Sequence, residues 1–244
     1  MPRFNNNYIG LRNRFGILSE AYSYAPFEDR IKATSRFLEE MLTWAARHAA
    51  RVRAATHAAD GDRLIGKTLA IRARHHRGGS IRVLMGGTEQ EKNPISGAMM
   101  RRRRDVSKPE QMVDVTSFEP AATEVVPATY YVPADAADAL ALLRAHGIEV
   151  REVTREVRGV ERFTIESTRS QSFQQHEMRI VEGAWQTAAG TVVQPGWWAV
   201  PMDQPLARLA FSLLEPMSDD GLTVWNAFDT QLQGATTHPV LRRR

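Results

Sequence analysis

Hydrophobic and polar positions change period several times along the chain, and each period predicts an element. Residues 14–24 open with the apolar Phe15, Ile17 and Leu18 and pass into alternation. Leu18, Glu20, Tyr22 and Tyr24 would then share one face of an expected strand. From Phe27 the period becomes helical, with Phe27, Ile31, Leu38, Met41, Leu42 and Ala45 on one apolar stripe. Pro26 suits the first position of this helix, Glu28 and Asp29 its first turn, and Arg47, Arg51 and Arg53 its later turns. The pattern predicts one helix over 26–53.

The stripe ends where Ala, Asp and Gly accumulate at 56–61, which marks an expected boundary between a segment 1–56 and a domain 61–244. Beyond it, Leu69, Ile71 and Ala73 alternate, Gly78-Gly79 signals a turn, and Ile81 and Val83 alternate again, the signature of a hairpin. Residues 93–108 have no usable period and read as an exposed loop. Strands are predicted at 112–115, 124–126 and 129–132, followed by a helix over 135–146. That helix should bury Leu140 and Leu143 and exit at Gly147, with Ile148 and Val150 opening another strand. Further strands are expected near 162–166, 177–181 and 191–193. A last helix begins at Pro205 with Leu206, Leu209, Ala210 and Leu213 on one face, and Pro216 stops it. The second part therefore reads as a mixed, strand-rich α+β domain.

The 244 residues suffice for one large domain or two small ones. Lys and Arg number 32 against 28 Asp and Glu, a net charge of +4 in which acids and bases interleave. Such a balance argues against a nucleic-acid partner. The absence of cysteine excludes disulfides, zinc ribbons and thiol nucleophiles. No run approaches the roughly 18 apolar residues of a membrane-spanning helix, so no membrane partner is expected. The first residues lack the apolar core of a signal peptide, and the compartment stays unknown.

Glu20 is the first candidate for chemistry. A carboxylate ending an apolar strand would lie where an open sheet meets its crevice, able to take a proton from water and return it to a leaving amine. On spacing alone, a solvated or salt-bridged carboxylate is the default. The block from Asn6 to Tyr24 with Pro26-Phe27 resembles the C-terminal end of bacterial zinc carboxypeptidases of the carboxypeptidase A type. A second block, Trp198-Ala199-Val200-Pro201, Gln204-Pro205-Leu206, Leu213-Leu214-Glu215-Pro216, Ser218 to Leu222 and Trp225-Asn226, resembles the tail of the same proteins. The resemblance implies an α/β fold for 1–56, the final strand and helix of a carboxypeptidase-like α/β/α sheet, followed by the accessory domain. It also implies proteolysis by a zinc-bound water, with Glu20 as general base and acid and a peptide as substrate of the full-length form.

The chain departs from that family at the metal. The family's His-x-x-Glu pair and later His precede the general base, whereas no histidine occurs among the 19 residues before Glu20. The expectation is a C-terminal fragment or remnant that holds no zinc by itself and is inactive alone. His146-Gly147-Ile148-Glu149 matches His-x-x-Glu formally, with His176 or His238 as a third donor, but reads better as a helix cap. Adjacent His75 and His76 point to opposite faces of a strand and cannot share an ion.

Arg12, Arg14 and Tyr22 are the candidate substrate-binding residues, through bidentate carboxylate contacts and a pocket wall that Tyr8 and Tyr24 extend; salt bridges and core packing are the bland alternatives. The run Arg101 to Arg104 has no aromatic neighbours in sequence and is followed by Asp105, the pattern of a solvated loop. Trp197-Trp198 is a possible glycan or peptide platform. The competing function is a non-catalytic protein- or glycan-binding module, and the 26–53 stripe suggests self-association.

Overall fold

The computed structural model describes residues 2–244 apart from Ala188 and the side chain of Asp105. The chain is mixed α+β and rich in strands. In order it forms α1 (Asn5–Leu11), α2 (Phe27–Arg47), α3 (Ala49–Asp60), β1 (Thr68–His76), β2 (Ser80–Lys92), β3 (Met99–Val113), β4 (Ser117–Val125) and β5 (Thr129–Val132). There follow α4 (Ala137–Ala145), β6 (Arg151–Glu152), β7 (Glu161–Phe173), β8 (His176–Thr187), β9 (Trp198–Pro201), α5 (Ala207–Leu214), α6 (Asp229–Leu232) and β10 (Thr237–Arg243).

Two compact units interleave along the chain, in place of a single cut near 56–61. Unit 1 comprises 1–16, 54–73 and 120–244, and unit 2 comprises 17–53 and 74–119; the division falls inside the paired strands β1 and β4.

Unit 1 is built on a six-stranded sheet in the order β6-β9-β5-β10-β7-β8. The central strand β5 shows why it folds. Tyr130 and Val132 point into the main core with Val200 and Val240, while Tyr131 points the other way, among Val153, Val160, Val193 and Leu241. Both faces of β5 are buried, so its sequence is a short apolar run bounded by Pro127 and Pro133. The main core is closed by α4, which buries Ala139, Leu140 and Leu143, and by α5, which buries six of its eight residues. Gly147 leaves α4 at φ +76°, as its predicted exit requires. The strand expected from Ile148 appears only as the two-residue β6, and the one expected at 191–193 only as an isolated bridge between Val157 and Val193.

Residues 2–14, expected to lead into a strand, instead belong to unit 1. The short helix α1 packs Tyr8 and Leu11 against the main core, and the chain leaves it through Asn13, φ +59°, a left-handed conformation that Asn tolerates better than most residues. A Cβ at Gly16 would lie 2.5 Å from the Asn6 carbonyl oxygen, so glycine is needed where the chain turns back over α1.

Unit 2 contains α2 and the long ribbon β2–β3. α2 begins one residue after Pro26, and Glu28 and Asp29 occupy its first turn as predicted. It ends at Arg47 with His48 as C-cap, and α3 resumes at Ala49, so the helix expected over 26–53 is two helices. The hairpin expected across Gly78-Gly79 does not form. β1 pairs with β4 and β2 with β3, while Gly78 and Gly79 exchange backbone hydrogen bonds with Asp114. The loop expected over 93–108 is largely strand: only 93–98 turns, and Arg101 to Arg104 lie in β3 opposite Gln90, Glu89, Thr88 and Gly87, with Arg101 facing Gln90, Arg102 facing Glu89, Arg103 facing Thr88 and Arg104 facing Gly87.

Candidate functional site

The strand predicted to carry Glu20 is absent. Residues 15–22 have no regular structure, because no neighbouring strand supplies the ladder that would satisfy their backbone groups. Glu20 is exposed at the rim of a concavity of about 560 Å³ in unit 2, with Phe27, Arg30, Ile31, Thr34 and Ser35. The Arg30 guanidinium lies 5.4 Å from the centre of the Phe27 ring. This hollow offers an apolar wall, a carboxylate and a guanidinium, a set that can hold a side chain but brings no second acid or imidazole to Glu20.

The three candidate substrate-binding residues are not gathered there. Arg12 and Arg14 belong to unit 1, and Tyr22 belongs to unit 2 with Glu20. An Arg12 Nη donates to the His146 carbonyl at 2.7 Å and to the Tyr8 hydroxyl at 3.1 Å. The Tyr8 hydroxyl is also hydrogen-bonded to His146 Nδ1, at 2.8 Å. Burial first, and the Arg12 charge second, lower the His146 pKa. Arg12 therefore ties α1 to the end of α4. Arg14 pairs with Asp60 at 2.9 Å, and that hydrogen bond holds the Asp60 carboxyl below the usual range. Tyr22 is 52% exposed, its ring 5.5 Å from that of Tyr24.

The zinc implied by the resemblance needs three or more donors converging on one point. Among the described residues no such group of His, Asp and Glu exists. The histidines are engaged individually. His146 caps α4 and binds Tyr8, His75 Nδ1 lies 3.1 Å from the Val115 carbonyl, and His76 lies 3.1 Å from Glu119. His176 stacks on Trp225 at 4.8 Å. His238 is buried against Thr223 at 2.9 Å, and burial lowers its pKa to about 3. The residues present do not fit the ion.

The most strongly perturbed titratable cluster was not among the sequence candidates. Arg242 on β10 reaches Glu161 at 2.6 Å and both Glu124 and Glu215 at 3.3 Å, with no exposed surface of its own. Glu215 accepts from the Tyr130 hydroxyl at 2.5 Å and from Trp185 Nε1 at 3.0 Å. Burial drives the Glu215 carboxyl up to about 7, against the pull of these donors and of Arg242. The Tyr130 hydroxyl is raised well above its ordinary value, again chiefly by burial. With side chains 0 and 1% exposed, Arg242 and Glu215 leave no room for a substrate, and the cluster is structural. Only its members' sequence separations, 27 to 118 residues, hid it.

Comparison with known protein families, with characterised proteins and with solved structures finds no match.

Proposed function

We propose that the chain is a non-catalytic, protein-binding remnant of a carboxypeptidase-like protein, with unit 1 as its folded scaffold and the apolar side of α2 as its partner surface. The observation that carries this reading is that α2 buries no residue, while Phe27, Ile31, Leu38 and Leu42 on its stripe are 70, 51, 45 and 65% exposed. A contiguous apolar stripe of this regularity adds nothing to a hydrated helix. Covering it on a partner removes its side chains from water, worth on the order of 1 kcal/mol or more for each. In the resembled family the corresponding helix covers a sheet, which gives the stripe its origin.

The test is the double substitution Leu38→Glu with Leu42→Glu, followed by light scattering across a wide concentration range and by an apolar dye. The wild type should bind dye and associate, and the variant should do neither while keeping the unfolding midpoint of unit 1. A wild-type chain that neither binds dye nor associates overturns the reading.

A second reading is favoured by the position of Glu20 beside Arg30 at the rim of the α2 concavity. In it, Glu20 is the proton-transfer residue of a metallocarboxypeptidase whose metal ligands come from another polypeptide segment. Hydrolysis of a C-terminal peptide substrate that is lost in Glu20→Gln would favour it. The first reading expects no hydrolysis by this chain, with or without added zinc.

A further inference from the structure

Strained backbone and unmatched polar atoms collect in one place in unit 1, around Trp225. Five buried side-chain polar atoms among the described residues lack an aligned hydrogen-bond partner, and four of them lie here: Arg3 Nε, His176 Nε2, Asp220 Oδ1 and Asn226 Oδ1. His176 stacks on the Trp225 ring at 4.8 Å. Among the described residues four that are not glycine have a left-handed backbone, and three of these border the same place. They are Gln174 and Gln175, φ +48° and +69°, at the β7–β8 turn, and Asn226, φ +66°. Such a turn ordinarily takes Asn-Gly, so two glutamines there are strained. Strain of this kind concentrates at ligand clamps.

A side chain of the same unit fills this place. The Arg3 guanidinium lies 4.3 Å from the centre of the Phe173 ring and 5.4 Å from that of Trp225. Its Nη1 donates to Met178 Sδ at 3.4 Å, its Nη2 to the Asp219 carbonyl at 3.3 Å, and its backbone N–H to Asp220 Oδ2 at 2.9 Å. Arg3 Nε comes within 2.6 Å of Asp220 Oδ1 but out of line, so neither atom is satisfied. The Asp220 side chain is 2% exposed, and burial raises its carboxyl against the pull of Arg3 and of the Trp225 indole. Two π faces for a planar cation, a buried carboxylate and a backbone carbonyl are the parts of a guanidinium receptor. Arg3 uses them poorly. A guanidinium and a carboxylate bind best through two parallel N–H···O bonds, whereas here a thioether takes one donor and the carboxylate is split between Nε and the backbone.

We infer that this site is a receptor for an arginine side chain of a partner peptide, and that Arg3 fills it in cis until a better-seated arginine displaces it. A peptide arginine is the form of ligand the site already reads, since Asp220 takes the backbone N–H of Arg3 as well as its guanidinium. Lysine is disfavoured by shape, because a compact ammonium offers no plane to lie between two rings. Exchange asks little of the fold. Residues 2–4 precede α1, which Tyr8 and Leu11 pack against the main core independently of Arg3. An arginine that turns its fork to both Asp220 oxygens satisfies the carboxylate. Its other N–H donors then have the acceptors that Arg3 leaves unused, Asn226 Oδ1 among them.

The test is an NMR titration of the full chain with N-acetyl-arginine amide, following the Trp225 indole N–H that Asp220 accepts. In Arg3→Ala the vacated site should bind it with a Kd of about 1 mM, the range for a ligand of about fifteen heavy atoms. N-acetyl-lysine amide should bind at least about tenfold more weakly, and adding Asp220→Asn to Arg3→Ala should abolish the effect. The wild type should need at least about tenfold more ligand for the same shift, because only chains with Arg3 undocked are competent. No binding by Arg3→Ala overturns the inference. Binding by the variant, with none by the wild type at about a hundredfold higher ligand, overturns exchange and leaves Arg3 a fixed tether. Free arginine binding more tightly than the capped form overturns the peptide as source. Should Arg3→Ala not fold alone, refolding on N-acetyl-arginine amide but not on the lysine analogue supports the site, and refolding on neither overturns it.

Discussion

Among the described residues Arg242 is the largest side chain with no exposed surface, and three carboxylates surround it. A buried guanidinium costs several kcal/mol to desolvate, which only close partners offset. Removing it leaves Glu215 buried without its cation, while Glu161 keeps Arg244 at 3.0 Å. Arg242→Ala should therefore lose about 3–5 kcal/mol of unfolding free energy, measured in urea. The same cluster makes stability depend on pH with a definite sign. The Glu215 carboxyl titrates near 7 in the folded chain and near 4.5 when unfolded, so the folded state binds a proton that the unfolded state releases. That contribution is complete below about pH 4.5 and is lost as pH rises to about 7, a fall of about 3 kcal/mol. Carboxylates held low by partners, Asp60 by Arg14 and Glu119 by Arg74, act in the opposite sense and at lower pH. Comparing urea unfolding of wild type and Glu215→Gln at pH 5 and pH 8 isolates the effect, and the variant should lack the slope.

Elements were legible where one face is buried and a local signal marks an end. Leu140, Leu143 and the exit at Gly147 followed from period and punctuation, and α4 has all three. Gly147→Ala should then cost about 1 kcal/mol by urea unfolding, because φ +76° strains any residue with a Cβ. The face of α5 is legible for the same reason, and β5, buried on both faces, through its short apolar run between Pro127 and Pro133. The β2–β3 ribbon was legible only near Ile81, Val83 and Met112; elsewhere neither face is buried, so nothing imposed a period of two on Arg101 to Arg104. β10 was missed because His238 and Arg242 look like solvent-facing residues, whereas the partners that bury them, Thr223, Glu161 and Glu215, lie elsewhere in the chain. The Glu20 segment failed in the opposite direction. Its alternation is real, but alternation specifies a strand only when a sheet edge is there to receive it.

At the scale of the whole molecule, apolar burial is confined to one unit. Every buried residue among those described belongs to unit 1, while unit 2 exposes Ile17, Leu18, Phe27, Leu42, Leu84 and Ile95 among others. The free energy of opening a region follows its buried apolar contacts and the shielding of its hydrogen bonds. Backbone amides of β5 and β10, interior strands beneath α4 and α5, should open only with global unfolding. Those of α2 and of β2–β3 have intact ladders but no core behind them, so local opening should suffice. Hydrogen exchange followed by mass spectrometry should show peptides from 17–53 and 80–113 exchanging at least a hundredfold faster than those from 129–132 and 237–243, a gap that about 2.7 kcal/mol of protection would produce. A protein partner on the α2 stripe should slow exchange in 27–47 and leave 99–104 unchanged. Uniform protection across both units in a chain that light scattering shows to be monomeric would mean that the α2 stripe is not open to a partner, and the partner reading of α2 would fail with it.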